Sequence, residues 1–189
     1  MKNVPKHEFI KLAKFSPRKN FPRLKSGKKG EELFVLSFAR ALRARQQNKE
    51  DFLVREFALN GYGIADLLCL TSEPIKGTQE QKMSILAFEM KMRDWRKALS
   101  QAFRYRYFAD KSIVVLPPEQ AALAAEYLTT FKRLRVGLWS FERAESTLVE
   151  FYTPPLLNAI SLSAKKKALG AIPIPSYFSK SPKRSYSLK

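Results

Sequence analysis

Glu89 and Lys91 stand two residues apart at the end of the apolar run ILAFEMK, residues 85–91. Side chains of a β-strand alternate faces with a period of two, so this glutamate and lysine project to one side while Phe88 and Met90 point to the other. A second carboxylate, Asp66, sits inside the apolar run GIADLLCL, residues 63–70. If the two runs form a hairpin that turns near Gly77, Asp66 faces Glu89 across the pair and shares its side of the sheet. Two neighbouring carboxylates offer oxygen ligands to a hard cation such as Mg²⁺, which keeps several waters and bridges readily to phosphate. An adjacent lysine can orient an attacking water and stabilise charge developing on a phosphoryl group. These are the parts of phosphodiester hydrolysis. An E-x-K spacing alone is unspecific, and the plain alternative is an Asp–Lys–Glu ion-pair cluster at the end of a sheet.

The elements that must hold these residues follow from periodicity. Phe34, Val35, Phe38, Ala41 and Leu42 predict an amphipathic helix over 31–46. FLVREFAL and GIADLLCL predict strands joined through the turn signal NGYG. The polar segment TSEPIKGTQEQKMS predicts a long hairpin loop before the strand ILAFEMK. Trp95, Ala98, Leu99, Ala102 and Phe103 predict a second helix over roughly 94–109, leading into the strand SIVVLP. Pro117 and Pro118 open a third helix, PEQAALAAEYLTTFKRL, and VGLWSFE with STLVEFYTP predict a terminal hairpin. Leu67, Cys69, Leu86, Phe88 and Met90 fall on one face of the central hairpin and Leu68, Leu70, Ile85 and Ala87 on the other. A sheet buried on both faces needs helices on both sides. The prediction is therefore an α/β domain with an αβββαβ core, a mixed sheet flanked by helices, extended by a C-terminal helix and β-hairpin.

With 189 residues, 45% of them apolar, the chain can bury one sizeable core, and no apolar run approaches the length of a membrane span. Its lone cysteine, Cys69, has no internal disulfide partner, and the basic N-terminus lacks the apolar stretch of a signal peptide. The expectation is a reducing, cytoplasmic setting away from membranes. The net charge of +18 is unevenly placed: residues 1–30 hold ten Lys/Arg against one acid and residues 158–189 seven against none, whereas the middle holds eighteen against sixteen. This divides the chain into a basic arm (1–30), a domain (31–157) and a basic, flexible tail (158–189). Such arms suit a polyanion, because each phosphate neutralised releases condensed counterions. Neither arm has the apolar helical face that a membrane surface would need, so nucleic acid is the expected partner.

The order helix, strand, IAD, loop, FEMK, helix, strand resembles the PD-(D/E)XK nuclease superfamily over roughly residues 28–117, in the style of archaeal Holliday-junction resolvases and restriction-endonuclease-like proteins. The resemblance implies metal binding by Asp66 and Glu89, with Ala65 where the family has proline, and a catalytic Lys91. It adds the backbone carbonyl of Met90 as a metal ligand. Related nucleases carry a glutamate at the start of the first helix, which falls on Glu31 in KKGEELF, with Glu32 the alternative on a more exposed face. Many also carry a glutamine on the helix after the signature lysine, which falls on Gln101 in LSQAFRY. The implied activity is a Mg²⁺- or Mn²⁺-dependent endonuclease acting on DNA rather than RNA. Each element alone is unspecific; five in the right order carry the resemblance.

Around this core, Lys28, Lys29, Arg93, Arg96, Lys97, Arg104, Lys165, Lys166 and Lys167 are the candidate phosphate contacts, positioning groups without sequence information. The aromatic and basic series WRKALSQAFRYRYF could also stack bases, although Trp95 and Phe103 lie on the expected core stripe. Glu56 reads as an edge charge or a partner for Arg55. His7, the only histidine, has no Ser or Cys partner arrangement, and one histidine with one cysteine excludes a zinc-finger set. The alternative function is a non-catalytic nucleic-acid-binding subunit of the same fold. A homodimer and a complex with a partner protein are both compatible with either reading.

Overall fold

The computed structural model describes residues 13–14, 29–45, 51–75, 77 and 81–172. Its first long element is α1 (Lys29–Arg45), which follows a two-residue strand β1 (Ala13–Lys14). Phe34, Val35, Phe38 and Leu42 form the buried stripe of α1. Then come β2 (Phe52–Leu59), β3 (Gly63–Pro74) and β4 (Gln81–Met90), an antiparallel meander, and α2 (Trp95–Tyr105). The strand β5 (Lys111–Leu116) returns parallel to β4, so α1 to β5 present the predicted order of helix, three strands, helix and strand. Two short helices, α3 (Pro118–Ala125) and α4 (Leu128–Leu134), lead to β6 (Val136–Glu142), parallel to β5, and its antiparallel partner β7 (Thr147–Tyr152). The sheet is mixed and seven-stranded, in the sequential order β1 to β7.

Both faces are covered, as alternation requires. Phe34, Phe38 and Leu42 of α1 pack with Leu67, Cys69, Phe88, Met90, Trp139 and Phe141 on one face, where Phe38 meets Phe88 and Phe141 edge to face. On the other, Tyr105 joins Val54, Phe57, Leu68, Leu70, Ile85 and Ala87, while Trp95, Ala98, Leu99 and Ala102 pack with Val114, Leu116, Phe131 and Leu138. Gly137 is where β6 runs closest to its neighbours: a Cβ there would lie 3.0 Å from Ile113 and 3.2 Å from the Tyr152 carbonyl. At the outer edge, Arg45 donates from Nη2 to the Leu148 carbonyl at 3.0 Å and places Nη1 4.0 Å from Glu150.

Three expectations are corrected. The loop between β3 and β4 is shorter than predicted, because the polar stretches TSEP and QKMS continue the ladder out to Pro74 opposite Gln81; hairpin pairing needs main-chain partners, not apolar faces. The third helix is broken at Glu126–Tyr127, where Tyr127 leaves helical geometry (φ −107°, ψ 25°) and starts α4. Residues 158–172, expected to belong to a flexible tail, are packed on the domain. Leu162–Ala171 forms α5, capped by Ser161, with Ala164, Ala168 and Ile172 buried on the second face. Lys165 reaches inward, its ammonium 2.8 Å from the Asp110 carboxylate and 3.0 Å from the Met83 carbonyl. Asp110 also accepts from the Ile85 amide at 2.8 Å. An ammonium held in this way is a fastener for α5, so Lys165 is withdrawn from the phosphate contacts.

Candidate functional site

The pairing of β3 with β4, Leu67 opposite Phe88 and Leu68 opposite Ala87, is the register inferred from a turn near Gly77. Extended by one residue it sets Asp66 opposite Glu89, but the ladder stops there. The Asp66 side chain takes over: its Oδ2 accepts from the Met90 amide at 2.7 Å. On the other side of β3 the pairing with β2 also skips this level, passing from Arg55–Leu67 to Phe57–Ala65. Glu56, which the register would place opposite Asp66, has φ 52°, in the left-handed region that costs a non-glycine residue about 1 kcal/mol or more. Asp66 therefore stands where β3 loosens from both neighbours, while Met90 and Lys91 remain tied to β5 through Val115.

Glu89 is 1% exposed and held at both oxygens. Lys91 Nζ lies 2.8 Å from Oε1, and the Tyr105 hydroxyl lies 2.6 Å from Oε2 and 2.5 Å from the Ile64 carbonyl. A phenol has one proton. It can therefore donate to only one of the two at a time, Glu89 Oε2 or the Ile64 carbonyl. Burial displaces Glu89 upward from the ordinary carboxylate range, against the pull of Lys91 and Tyr105. Asp66 is pushed up to about 7, first by burial and then by the neighbouring Glu89 charge. Burial alone would lower Lys91, but Glu89 and Asp66 outweigh it and hold the ammonium charged. Burial, then Glu89, raises the Tyr105 hydroxyl.

Glu31, in the first turn of α1, is half-buried and adds negative potential at both Asp66 and Lys91. Glu32 faces outward and pairs with Arg55 at 3.2 Å, which separates the two glutamates as the helical stripe predicts. Glu56 is an exposed charge 3.7 Å from Arg55. Gln101 stands one helical turn before Tyr105, on the same side of α2. Among the described residues its side-chain oxygen is one of three shielded polar atoms without a hydrogen-bond partner; another is Glu89 Oε1, which is ion-paired with Lys91 at 2.8 Å instead. The structure thus brings Asp66, Glu89, Lys91 and Met90 together, sets Glu31 within electrostatic reach and places Gln101 on the helix that covers them.

Tyr105 is the member of this cluster that sequence reasoning missed. Its spacing of four from Gln101 marked a shared helix face, but not that the face crosses β4 at Glu89. Gly63, with φ 99°, passes under this ring: a Cβ there would sit 3.7 Å from Tyr105 and 3.9 Å from Arg104. Arg104 in turn pulls Glu89 downward.

Among the described residues no three His, Cys, Asp or Glu side chains converge to cage a metal. The donors present fit a hydrated hard cation instead, one that takes two carboxylates and fills its remaining positions with water, main-chain and phosphate oxygens. The candidate phosphate contacts divide. Arg93 is exposed just before α2, Lys97 and Arg104 are exposed along it, Arg96 is exposed and stacked on aromatic rings, and Lys166 and Lys167 are exposed on α5. Because α5 is fastened at Met83, six residues before Glu89, those lysines lie toward the far end of β4, about 20 Å away at 3.3 Å per residue. Lys28 lies outside the described residues, and Lys29 is described only as the first residue of α1. Among the described residues no helix is long and apolar enough to cross a membrane. No family model, no curated protein and no solved structure matches the chain.

Proposed function

We propose that the chain is a metal-dependent nuclease of the PD-(D/E)XK type that hydrolyses phosphodiester bonds in DNA. The observation that carries this reading is the gap in the ladder at Asp66 and Glu89. Two carboxylates and a lysine are gathered where the sheet opens, in a surrounding that raises both acids and keeps the amine charged. Asp66 and Glu89 would hold Mg²⁺ or Mn²⁺. The Met90 carbonyl, which in a strand lies on the same edge as its amide, would be available beside Asp66. Glu31 would support the water shell of the ion. When bound, the ion supplies charge neutralisation at the phosphate and acidifies water at neutral pH.

The chain's own groups do the rest. Lys91, released in part from Glu89, orients the attacking water and meets the charge that grows on the phosphoryl oxygens. Tyr105 keeps Glu89 aimed, and when Glu89 turns toward a cation the hydroxyl still has the Ile64 carbonyl as acceptor. Gln101 holds water or phosphate with its unpartnered amide oxygen or its amide donors. Arg93, Lys97 and Arg104 fix the backbone of the nucleic acid.

A second reading has its own observation: both Glu89 oxygens are already engaged, by Lys91 and Tyr105, which is how a closed ion-pair cluster in a non-catalytic binding subunit would look. Incubation of labelled single-stranded, duplex, flapped and four-way-junction DNA with Mg²⁺ or with EDTA separates the two. Cleavage that requires the metal and Lys91 supports the nuclease; binding without cleavage of any form supports the subunit.

A further inference from the structure

The surface just beyond Lys91 is built from a cation laid on aromatic rings. The Arg96 guanidinium carbon lies 4.3 Å from the Trp95 ring centroid and 5.2 Å from that of Tyr127, and the two rings are 4.9 Å apart with a tilt of 35°. Trp95 is anchored in the core, 6.0 Å from Phe131, whereas Tyr127, at the break between α3 and α4, is 45% exposed. Lys97, Ser100 and Arg104 recur along one exposed side of α2 at helical spacing, and Arg104 acts electrostatically on Glu89.

A phosphate contact needs only a free cation. Arg96 instead presents a delocalised, weakly hydrated charge backed by two rings, a surface suited to the face of a base. Within a duplex those faces are covered by neighbouring bases; in an unpaired strand they are free, and stacking on aromatic side chains or guanidinium planes is how such strands are held.

We propose that Arg96, Trp95 and Tyr127 form a stacking site for an unpaired nucleobase, so that the substrate class of the candidate nuclease is DNA carrying a single-stranded stretch. The inference rests on the nucleic-acid reading given above. Trp95 follows Lys91 by four positions, a reach of at most about 14 Å. A base stacked beside Trp95 therefore places phosphates of the same strand within a few nucleotides of Lys91. The competing account is purely structural: the stack pins α2 to the α3–α4 junction and contributes stability only.

The test uses the full chain in EDTA, with a single-stranded oligonucleotide carrying 2-aminopurine and a duplex of the same sequence. The wild-type protein should bind the single strand more tightly than the duplex and quench the 2-aminopurine fluorescence. Arg96→Lys keeps the charge but loses the planar group; it should weaken single-strand binding about five- to tenfold and relieve the quenching, with duplex affinity and salt dependence unchanged. Tyr127→Ala should act in the same direction. If Arg96→Lys lowers both affinities equally, or changes neither while its melting temperature falls, the stacking site is overturned and the structural account stands. If the wild-type protein binds neither nucleic acid, the stacking site and the nucleic-acid reading fall together.

Discussion

Without the Lys91 ammonium, Glu89 loses the cation 2.8 Å from one of its oxygens and the carboxylate pair loses the charged donor aimed at it. Lys91→Ala is expected to reduce Mg²⁺-dependent cleavage by about 100-fold or more, the scale of losing one electrostatic stabiliser of a transition state, while DNA binding is largely retained. Equal turnover by the two proteins would remove Lys91 from the chemistry. Asp66 makes a separate prediction. Its folded value of about 7 exceeds the ordinary 3.8, so between those limits the native state holds more protons than the unfolded chain. Stability contributed by this group is therefore present below about pH 4 and is lost as pH rises through about 7. Metal-free protein should melt at lower temperature at pH 8 than at pH 5, Asp66→Asn should flatten that dependence, and Mg²⁺ should raise the melting temperature most at the higher pH. Thermal scans of both proteins, with and without the ion, check all three. At this scale the sequence was legible where one strand carried the information: period two aligned Glu89 with Lys91, and one turn position aligned both with Asp66. The contact of Tyr105 with Glu89 and that of Arg96 with Tyr127 were not, because they depend on where a helix crosses a strand or meets another helix.

At the scale of elements, hydrophobic periodicity found α1, α2 and every long strand because each carries large apolar side chains at regular spacing. It missed α5 because that helix buries alanines, Ala164 and Ala168, and is fastened by a lysine, in a segment whose composition reads as a solvated tail. It also missed the break at Tyr127, since the apolar positions continue across it. The α5 fastener can be tested directly. Lys165→Ala leaves the Asp110 carboxylate, 3% exposed, without its cation, a loss of about 3 kcal/mol for a buried pair, moderated by the Ile85 amide that still donates to it. Chemical denaturation should show that loss, and Lys165→Met should recover part of it if Asp110 is replaced by Asn in the same chain. Truncation before Ala164 should destabilise the whole domain. A truncation intended to remove only the basic tail belongs after Ile172.

At the scale of the whole molecule, the excess charge belongs to the two ends of the sequence, and residues 173–189 hold four Lys/Arg and no acid. Removing them should leave the fold intact and reduce the magnitude of the log affinity versus log salt slope by up to about 3.6, at about 0.9 for each DNA phosphate that the segment neutralises. An unchanged slope would mean that this segment does not meet DNA. The other consequence concerns β7, the last strand of the sheet. Among the described residues its outer main-chain edge has no partner strand, which makes it a template on which a second chain could lay one, and a sheet of this size is exposed to that form of misassembly. Arg45 occupies the Leu148 carbonyl and stands beside Glu150, so an incoming backbone would have to displace a charged side chain before it gained its first hydrogen bond. Replacing Arg45 by Ala should leave cleavage unchanged and make light scattering rise with protein concentration. By this account a residue remote from the carboxylates sets how concentrated the protein can become before it aggregates.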